Sequence, residues 1–298
     1  MPELPDLQLY LDALAPRVLG QPLERIAIVN PFVLRTVDPP VAALEGRVVS
    51  RLGRLGKRLL FHFEGGDGEA AILVIHLMIA GRFRWRPLDA KPLPRKLALA
   101  ELQFPGGVLV LTEAGTTRRA AIHVVRPEGL AALDRGGLEP LGISVEAFRE
   151  RLTRENRTVK RALTDPRIFA GIGNAYSDEI LHRARLAPTA LTQKMDTETI
   201  ARLHQATQEI LVEWTERLRA ESGGKFPEKV TAFREEMAVH GKYGKPCPDC
   251  GTPVQRIRYA SNETNYCARC QTGGRLLADR AMSRLLGEDW PRHIDQLE

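Results

Sequence analysis

The first 246 residues of this 298-residue chain contain no cysteine, and the only four fall between Cys247 and Cys270. That confinement excludes a disulfide-stapled scaffold and, in a reducing compartment, reads as a metal site before it reads as disulfides. No stretch approaches eighteen uninterrupted apolar residues, so no membrane span is expected. The opening MPELPDLQLYLDAL carries Glu3, Asp6 and Asp12 where a secretory signal would carry a basic flank and an apolar run, which predicts a cytoplasmic protein. No internal repeat and no low-complexity tract interrupts the chain.

What is present is a soluble globular composition, 43% hydrophobic and 27% charged, far from the signature of disorder. The length is about twice that of a usual single domain, so two packed bodies plus small modules are expected. Lys and Arg number 43 against 37 Asp and Glu, a net charge of +6. Such a mild basic excess suits a polyanionic partner without naming one.

Leu7, Tyr10, Leu11, Leu14 and Val18 fall at helical spacing, with Asp6 as the expected N-cap. From about 20 to 130 the texture changes to short branched and aromatic runs, RLLFHFE, AILVIHLM, LALAELQFP and GVLVLT, broken by Gly, Pro or Asp. This half reads as a β-sandwich or barrel without a βαβ rhythm. Beyond LAALDRGGLEP the pattern turns helical, first in the 145–165 region, then in NAYSDEILHRARL. A long stripe of Ile200, Leu203, Ile210, Trp214 and Leu218 follows between Asp196 and about Glu221, read as core packing. ESGGKFPE then predicts a loop, and GRLLADRAMSRLLGEDW one more amphipathic helix ending near Gly287.

Cys247 and Cys250 form one CxxC, Cys267 and Cys270 a second, with sixteen residues between the pairs. Two such knuckles supply four thiolates for a tetrahedral soft site, and one structural Zn2+ is the expected occupant. A staple of this kind names no activity. From Lys242 through Arg269 there are five Lys or Arg against two Asp or Glu, so Arg256 and Arg258 on the intervening hairpin are candidate phosphate contacts.

Four motifs, in order, carry a resemblance: MPELPD at the start, GKRLLF at 56–61, GIGNAYSDEIL at 171–181 and GKYGKPCPDCGT at 241–252. Together they resemble the bacterial formamidopyrimidine-DNA glycosylase and endonuclease VIII family over roughly residues 2–271. The resemblance implies an α+β multidomain fold. Its parts are an N-terminal catalytic β-sandwich with a leading helix at 1–130, a DNA-binding helix–two-turn–helix domain at 131–238, a zinc finger at 239–271, and a helical extension at 272–298. It further implies a monomeric DNA glycosylase and AP lyase acting on double-stranded DNA with damaged bases or abasic sites. In that family the two larger domains close on a bent duplex and the damaged nucleotide is flipped into the cleft between them.

The implied chemistry gives the N-terminus a purpose beyond a proline-bracketed entry to a helix. With Met1 removed, Pro2 becomes a secondary amine able to attack the sugar C1′ and form an iminium; α-amino groups titrate near pH 8, so a neutral fraction is at hand. Glu3 is adjacent and can move protons as the sugar ring opens. Lys57 matches the family's strand lysine, although RLGRLGKR, four bases and no acid in eight residues, also reads as a phosphate patch. Lys160 and Asn174 match phosphate contacts and Glu179 an acid near the active site. Gly171 and Gly173 allow a tight turn presenting helix N–H groups to a phosphate, while Asn174 alternatively only caps that helix.

Three departures concern the reading of the lesion. HLMIAG puts Ile79 where a Met wedge is common, with Met78 one residue earlier, and an apolar wedge is retained. The family's RRFG loop becomes RRAA, keeping Arg118 and Arg119 but placing Ala120 where a Phe would stack. Asn262 stands five residues before the third cysteine where the family has a phosphate-gripping Arg, and it brings neither charge nor a bidentate fork. The loop after Gly224 is also short. Two rival readings follow: a damaged-DNA-binding protein with reduced catalysis, and a lyase with an atypical lesion class. Leu276, Leu277, Leu285 and Leu286 predict that the tail packs back on the chain.

Overall fold

The computed structural model describes residues 1–64, 70–94, 96–114, 117–259 and 262–297. It divides into two compact units, one of residues 1–135 with 214–231 and one of residues 136–213 with 232–298.

The first unit opens with helix α1, Leu4–Val18. It begins earlier than the expected Asp6 cap. Glu3 is the N-cap, and Asp6 sits one turn in, its carboxylate accepting the Glu3 N–H at 2.9 Å. Pro5 fits this first turn because its missing N–H would have had no helical acceptor there. Eight strands follow: β1 Arg25–Ile28, β2 Val49–Leu55, β3 Arg58–Phe63, β4 Ala71–His76, β5 Gly81–Arg86, β6 Ala98–Phe104, β7 Gly107–Glu113 and β8 Ala121–Val125. They form two four-stranded antiparallel sheets, ordered β1-β6-β7-β5 and β2-β3-β4-β8.

Alternation places Leu59, Phe61 and Phe63 of β3, Leu73 and Ile75 of β4, and Leu102, Phe104, Leu109 and Leu111 of β6 and β7 in one shared core with Leu7, Tyr10 and Leu14 of α1. This is the β-sandwich that the run texture predicts. The outer face of the second sheet is apolar too: Leu60, Ile72 and Val74 pack under Leu130 and Leu133 of a 3-10 turn. Burial on both faces explains why AILVIH reads as a continuous apolar run.

In the second unit lie α2 Val145–Thr153, α3 Val159–Thr164 and α4 Asn174–Arg183. Helix α5, Thr197–Ser222, starts in this unit and continues into the first. Asp196 accepts the Thr199 N–H at 2.7 Å at its start, and Ile200, Leu203, Ile210, Trp214 and Leu218 are all buried, the core stripe expected. A hairpin of β9 Gln255–Tyr259 and β10 Asn262–Tyr266 then leads into α6, Ala268–Thr272.

The tail differs from the single helix expected. Arg275 to Leu277 run extended, the Leu276 N–H donating to the Arg292 carbonyl at 2.9 Å and the Leu277 N–H to the Tyr266 hydroxyl at 2.8 Å. Only Arg280–Leu286 form helix α7. Leu276, Leu277 and Ile294 share a small core with Ile257 and Tyr266 of the hairpin, whereas Leu285 is 78% exposed. The tail therefore completes the finger with its first leucine pair and not its second.

Candidate functional site

In the first unit the chain terminus is drawn inward. Pro2 and Glu3 are buried. The Met1 ammonium lies close enough to Glu3, Arg82, Asp6 and Lys57 to feel their charges, and its pKa falls below the usual 8.0, mainly because burial strips water from the charged form. Arg82 on β5 also shapes the neighbouring turn, its Nη1 donating to the carbonyls of Ile79 at 3.0 Å and Gly81 at 2.7 Å. Gly81 closes that turn with an N–H bond to the Leu77 carbonyl at 2.9 Å. A Cβ at residue 81 would stand 2.2 Å from the same oxygen, so only glycine fits. The turn thrusts Ile79 outward, 61% exposed.

Lys57 is not on a strand. It and Gly56 form the two-residue turn joining Leu55 and Arg58, with Gly56 at φ +58°, so glycine takes the left-handed first position. Across the ladder from Arg58 stands His76, at the end of β4. Burial first, then the charges of Arg58, Lys57 and His123, push its pKa down to about 4. The Met78 N–H donates to His76 Nδ1 at 3.2 Å, so the neutral ring carries its proton on Nε2.

The RRAA segment is tied down from within. Glu113 Oε2 accepts the backbone N–H groups of Arg119 and Ala120 at 2.9 and 3.0 Å, and the Ala120 side chain is buried in the sandwich core. Arg118 is exposed and donates from its guanidinium to the Lys96 carbonyl.

The second unit gathers the remaining candidates around α4. Gly171, at φ +82°, makes the turn before it, and Gly173, not Asn174, is the N-cap. Asn174 is the first helical residue, and its side-chain amide donates to the Glu263 carbonyl of β10 at 2.8 Å. Lys160 is only 8% exposed; its ammonium donates to the Asn174 carbonyl at 2.7 Å and to Asp178 at 2.5 Å. The other Asp178 oxygen lies 2.7 Å from His240 Nδ1. Glu179 accepts three backbone N–H groups, from Ala238 at 2.7 Å, Val239 at 3.0 Å and His240 at 2.9 Å. On the hairpin the Arg256 guanidinium stacks 4.0 Å over the Tyr243 ring and lies 3.6 Å from Glu263. The Arg258 and Asn262 side chains are exposed toward the hairpin tip.

The sulfur atoms of Cys247, Cys250, Cys267 and Cys270 all lie within 4.8 Å of one another, with Cys247 to Cys270 at 3.9 Å and Cys250 to Cys267 at 3.4 Å. Tetrahedral Zn–S bonds of about 2.3 Å place sulfurs about 3.8 Å apart, so the four thiolates fit one structural zinc.

The geometry thus assembles Pro2, Glu3 and Lys57 with Arg82, Asp6 and His76 in one unit, and Lys160, Asn174 and Glu179 with the finger in the other. The sequence profile of the formamidopyrimidine-DNA glycosylase N-terminal domain matches residues 1–119, that of its H2TH domain residues 137–222, and that of a zinc finger found in FPG and IleRS residues 244–273. A formamidopyrimidine-DNA glycosylase of Thermus thermophilus is 35% identical over 283 residues, covering 92% of this chain and 100% of that one. This chain belongs to the formamidopyrimidine-DNA glycosylase family. A family member from Heliobacterium modesticaldum is 33% identical over 290 residues, covering 91% and 100%. Among solved structures, the Lactococcus lactis FPG bound to Fapy-dG-containing DNA superposes with a TM-score of 0.78 at 26% identity, covering 91% of this chain and 100% of that one.

His76, Arg82, Asp178, His182 and His240 escaped the sequence reading of this family member. His76 had a signal, a histidine ending an apolar strand opposite a run of bases. The others are recognisable only once the fold brings their partners to them.

Proposed function

We propose that the chain is a base-excision-repair enzyme, a DNA glycosylase and AP lyase acting on oxidised bases and abasic sites in double-stranded DNA through an imine on Pro2. The observation that carries this reading is the enclosed chain start: Pro2 and Glu3 are buried, and the terminus they follow feels the charges of Glu3, Arg82, Asp6 and Lys57. Relatives named formamidopyrimidine-DNA glycosylase support it, as do Lactococcus lactis neighbours bound to Fapy-dG-containing and abasic-site DNA.

Removal of Met1 exposes the Pro2 secondary amine. Its lone pair attacks C1′ of the flipped nucleotide; the bond from C1′ to the base breaks, and the base leaves with that electron pair and takes a proton. Ring opening yields an iminium between Pro2 and C1′. Loss of the C2′ proton then expels the 3′ phosphate and nicks the strand. Glu3 moves protons at the sugar, and Lys57 with Arg82 stabilises developing negative charge. His76, neutral and donating from Nε2, offers a phosphate oxygen a hydrogen bond at working pH. Arg118 of the first unit and Arg258, Asn262, Asn174 and Arg256 of the helical and finger regions are the proposed DNA contacts, with Ile79 the apolar wedge. Lys160, turned inward onto the Asn174 carbonyl and Asp178, steadies the start of α4 behind them. Glu179 supports the site by fixing the backbone of 238–240. Zinc, when bound, holds the finger hairpin in shape for the backbone contact.

Among the described residues no helix is long and apolar enough to cross a membrane, and the proposed location is the bacterial cytoplasm, on DNA. The non-catalytic alternative is not favoured, because Pro2, Glu3 and Lys57 are all in place. Borohydride trapping on an abasic duplex tests the reading: a covalent adduct with the Met1-processed protein is expected, and its absence removes the imine.

A further inference from the structure

Asn174, Asp178 and His182 fall four residues apart on α4 and so line one face of the helix. Each is bonded to a different part of the finger. Asn174 reaches the Glu263 carbonyl on β10, Asp178 reaches His240 on the segment entering the first knuckle, and His182 Nε2 lies 3.3 Å from Cys247 Sγ. The last contact is closed to water, His182 being 5% exposed and Cys247 2%.

A zinc-bound cysteine is a thiolate and has no hydrogen to give, so the hydrogen in this contact belongs to the imidazole and Nε2–H donates. Asp249, inside the same knuckle, stands 3.9 Å from Nε2 and leaves the thiolate as the nearer acceptor. Four thiolates around one divalent ion carry a net charge of −2. A buried N–H aimed at one of them withdraws charge from sulfur and fixes its direction, which is how hydrogen bonds around cysteine sulfur tune metal sites. Further donors to these sulfurs are local, among them the Cys270 N–H at 3.4 Å from Cys267 Sγ and the backbone and side chain of Thr252 at Cys250. His182 comes instead from a helix 65 residues away in sequence.

We propose that His182 is part of the metal centre: it donates to the Cys247 thiolate, slows release of zinc, and ties the first knuckle to the helix that opens with Asn174. The inference presupposes the zinc and not the DNA chemistry proposed above. Removing a group hydrogen-bonded to a metal ligand typically weakens metal binding by about 10- to 100-fold.

The test uses the full-length, zinc-loaded protein and its His182→Phe, His182→Ala and His182→Gln variants, timing zinc transfer to a chromogenic chelator. The Phe and Ala variants are expected to release zinc at least about 10-fold faster, with Gln, whose amide presents an N–H at similar reach, restoring most of the loss. In the cobalt-substituted proteins the sulfur-to-cobalt charge-transfer band is expected to move to lower energy in Phe and Ala and to stay in place in Gln, because removal of the donor raises the energy of the sulfur electrons. A variant that does not fold is set aside by circular dichroism and the remaining ones decide. Equal release rates with an unmoved band in either donor-less variant overturn the proposal, and failure of borohydride trapping leaves it standing.

Discussion

His76 and Arg58 face each other across the β3–β4 ladder, and the ring stays neutral down to about pH 4. An unfolded histidine takes up its proton near pH 6.5. Between those values the unfolded chain binds more protons than the folded one, so stability falls as pH falls from about 6.5 to 4. The His76 contribution is at most about 3 kcal/mol, and His62 and His123, also depressed by burial, add to the same trend. Urea unfolding of the wild type and of His76→Gln across pH 4–7 checks this; the variant is expected to show the shallower dependence.

Pro2→Leu, whose bulky second residue keeps Met1 in place, should abolish the borohydride-trapped adduct and lower strand scission by at least about 10³-fold. Because Pro2 is buried, circular dichroism first confirms that the variant keeps its fold. In the wild type the trapping rate should rise with pH as the Pro2 ammonium loses its proton, since only the neutral amine has a lone pair to attack with. Scission at an unchanged rate in Pro2→Leu would place the nucleophile elsewhere.

Ile79 offers a separation of function from fold. Because it stands exposed at its turn, Ile79→Ala is expected to change stability by no more than about 0.5 kcal/mol. Excision of a paired damaged base should slow, while cleavage of a pre-formed abasic site, which needs less unstacking, should slow less. Single-turnover rates on the two duplexes give the comparison.

Glu179→Gln replaces one acceptor oxygen by an NH2 group that faces backbone N–H groups already present. With three such bonds from Ala238, Val239 and His240 at stake, the loss should be about 1.5–3 kcal/mol, read as a lower thermal midpoint. A catalytic defect without that loss would show that the carboxylate acts on substrate and not on the 238–240 backbone.

Much of this fold was legible because apolar runs report burial directly: RLLFHFE, AILVIHLM, LALAELQFP and GVLVLT each became a strand. Strands β2 and β5 carry no such run: the arginines of RLGRL read as a phosphate patch, those of GRFRWR interrupt its apolar residues, and only the fold shows Phe83 in the core. The cysteine spacing announced the metal site. The ties that fix α4 to the finger were hidden, because Asp178 with His240 and His182 with Cys247 join residues 62 and 65 apart. Lys160 illustrates the limit from the other side: motif position suggested an outward cation, while burial and two local acceptors turn it inward.

Ala120 sits inside a closed sandwich, its amide clamped by Glu113. A phenyl ring added there would press on packed neighbours at a cost of about 1–3 kcal/mol. An aromatic ring at residue 120 therefore requires its packed neighbours to give way first, whereas the bend that displays Ile79 accepts side chains of other sizes without disturbing the interior.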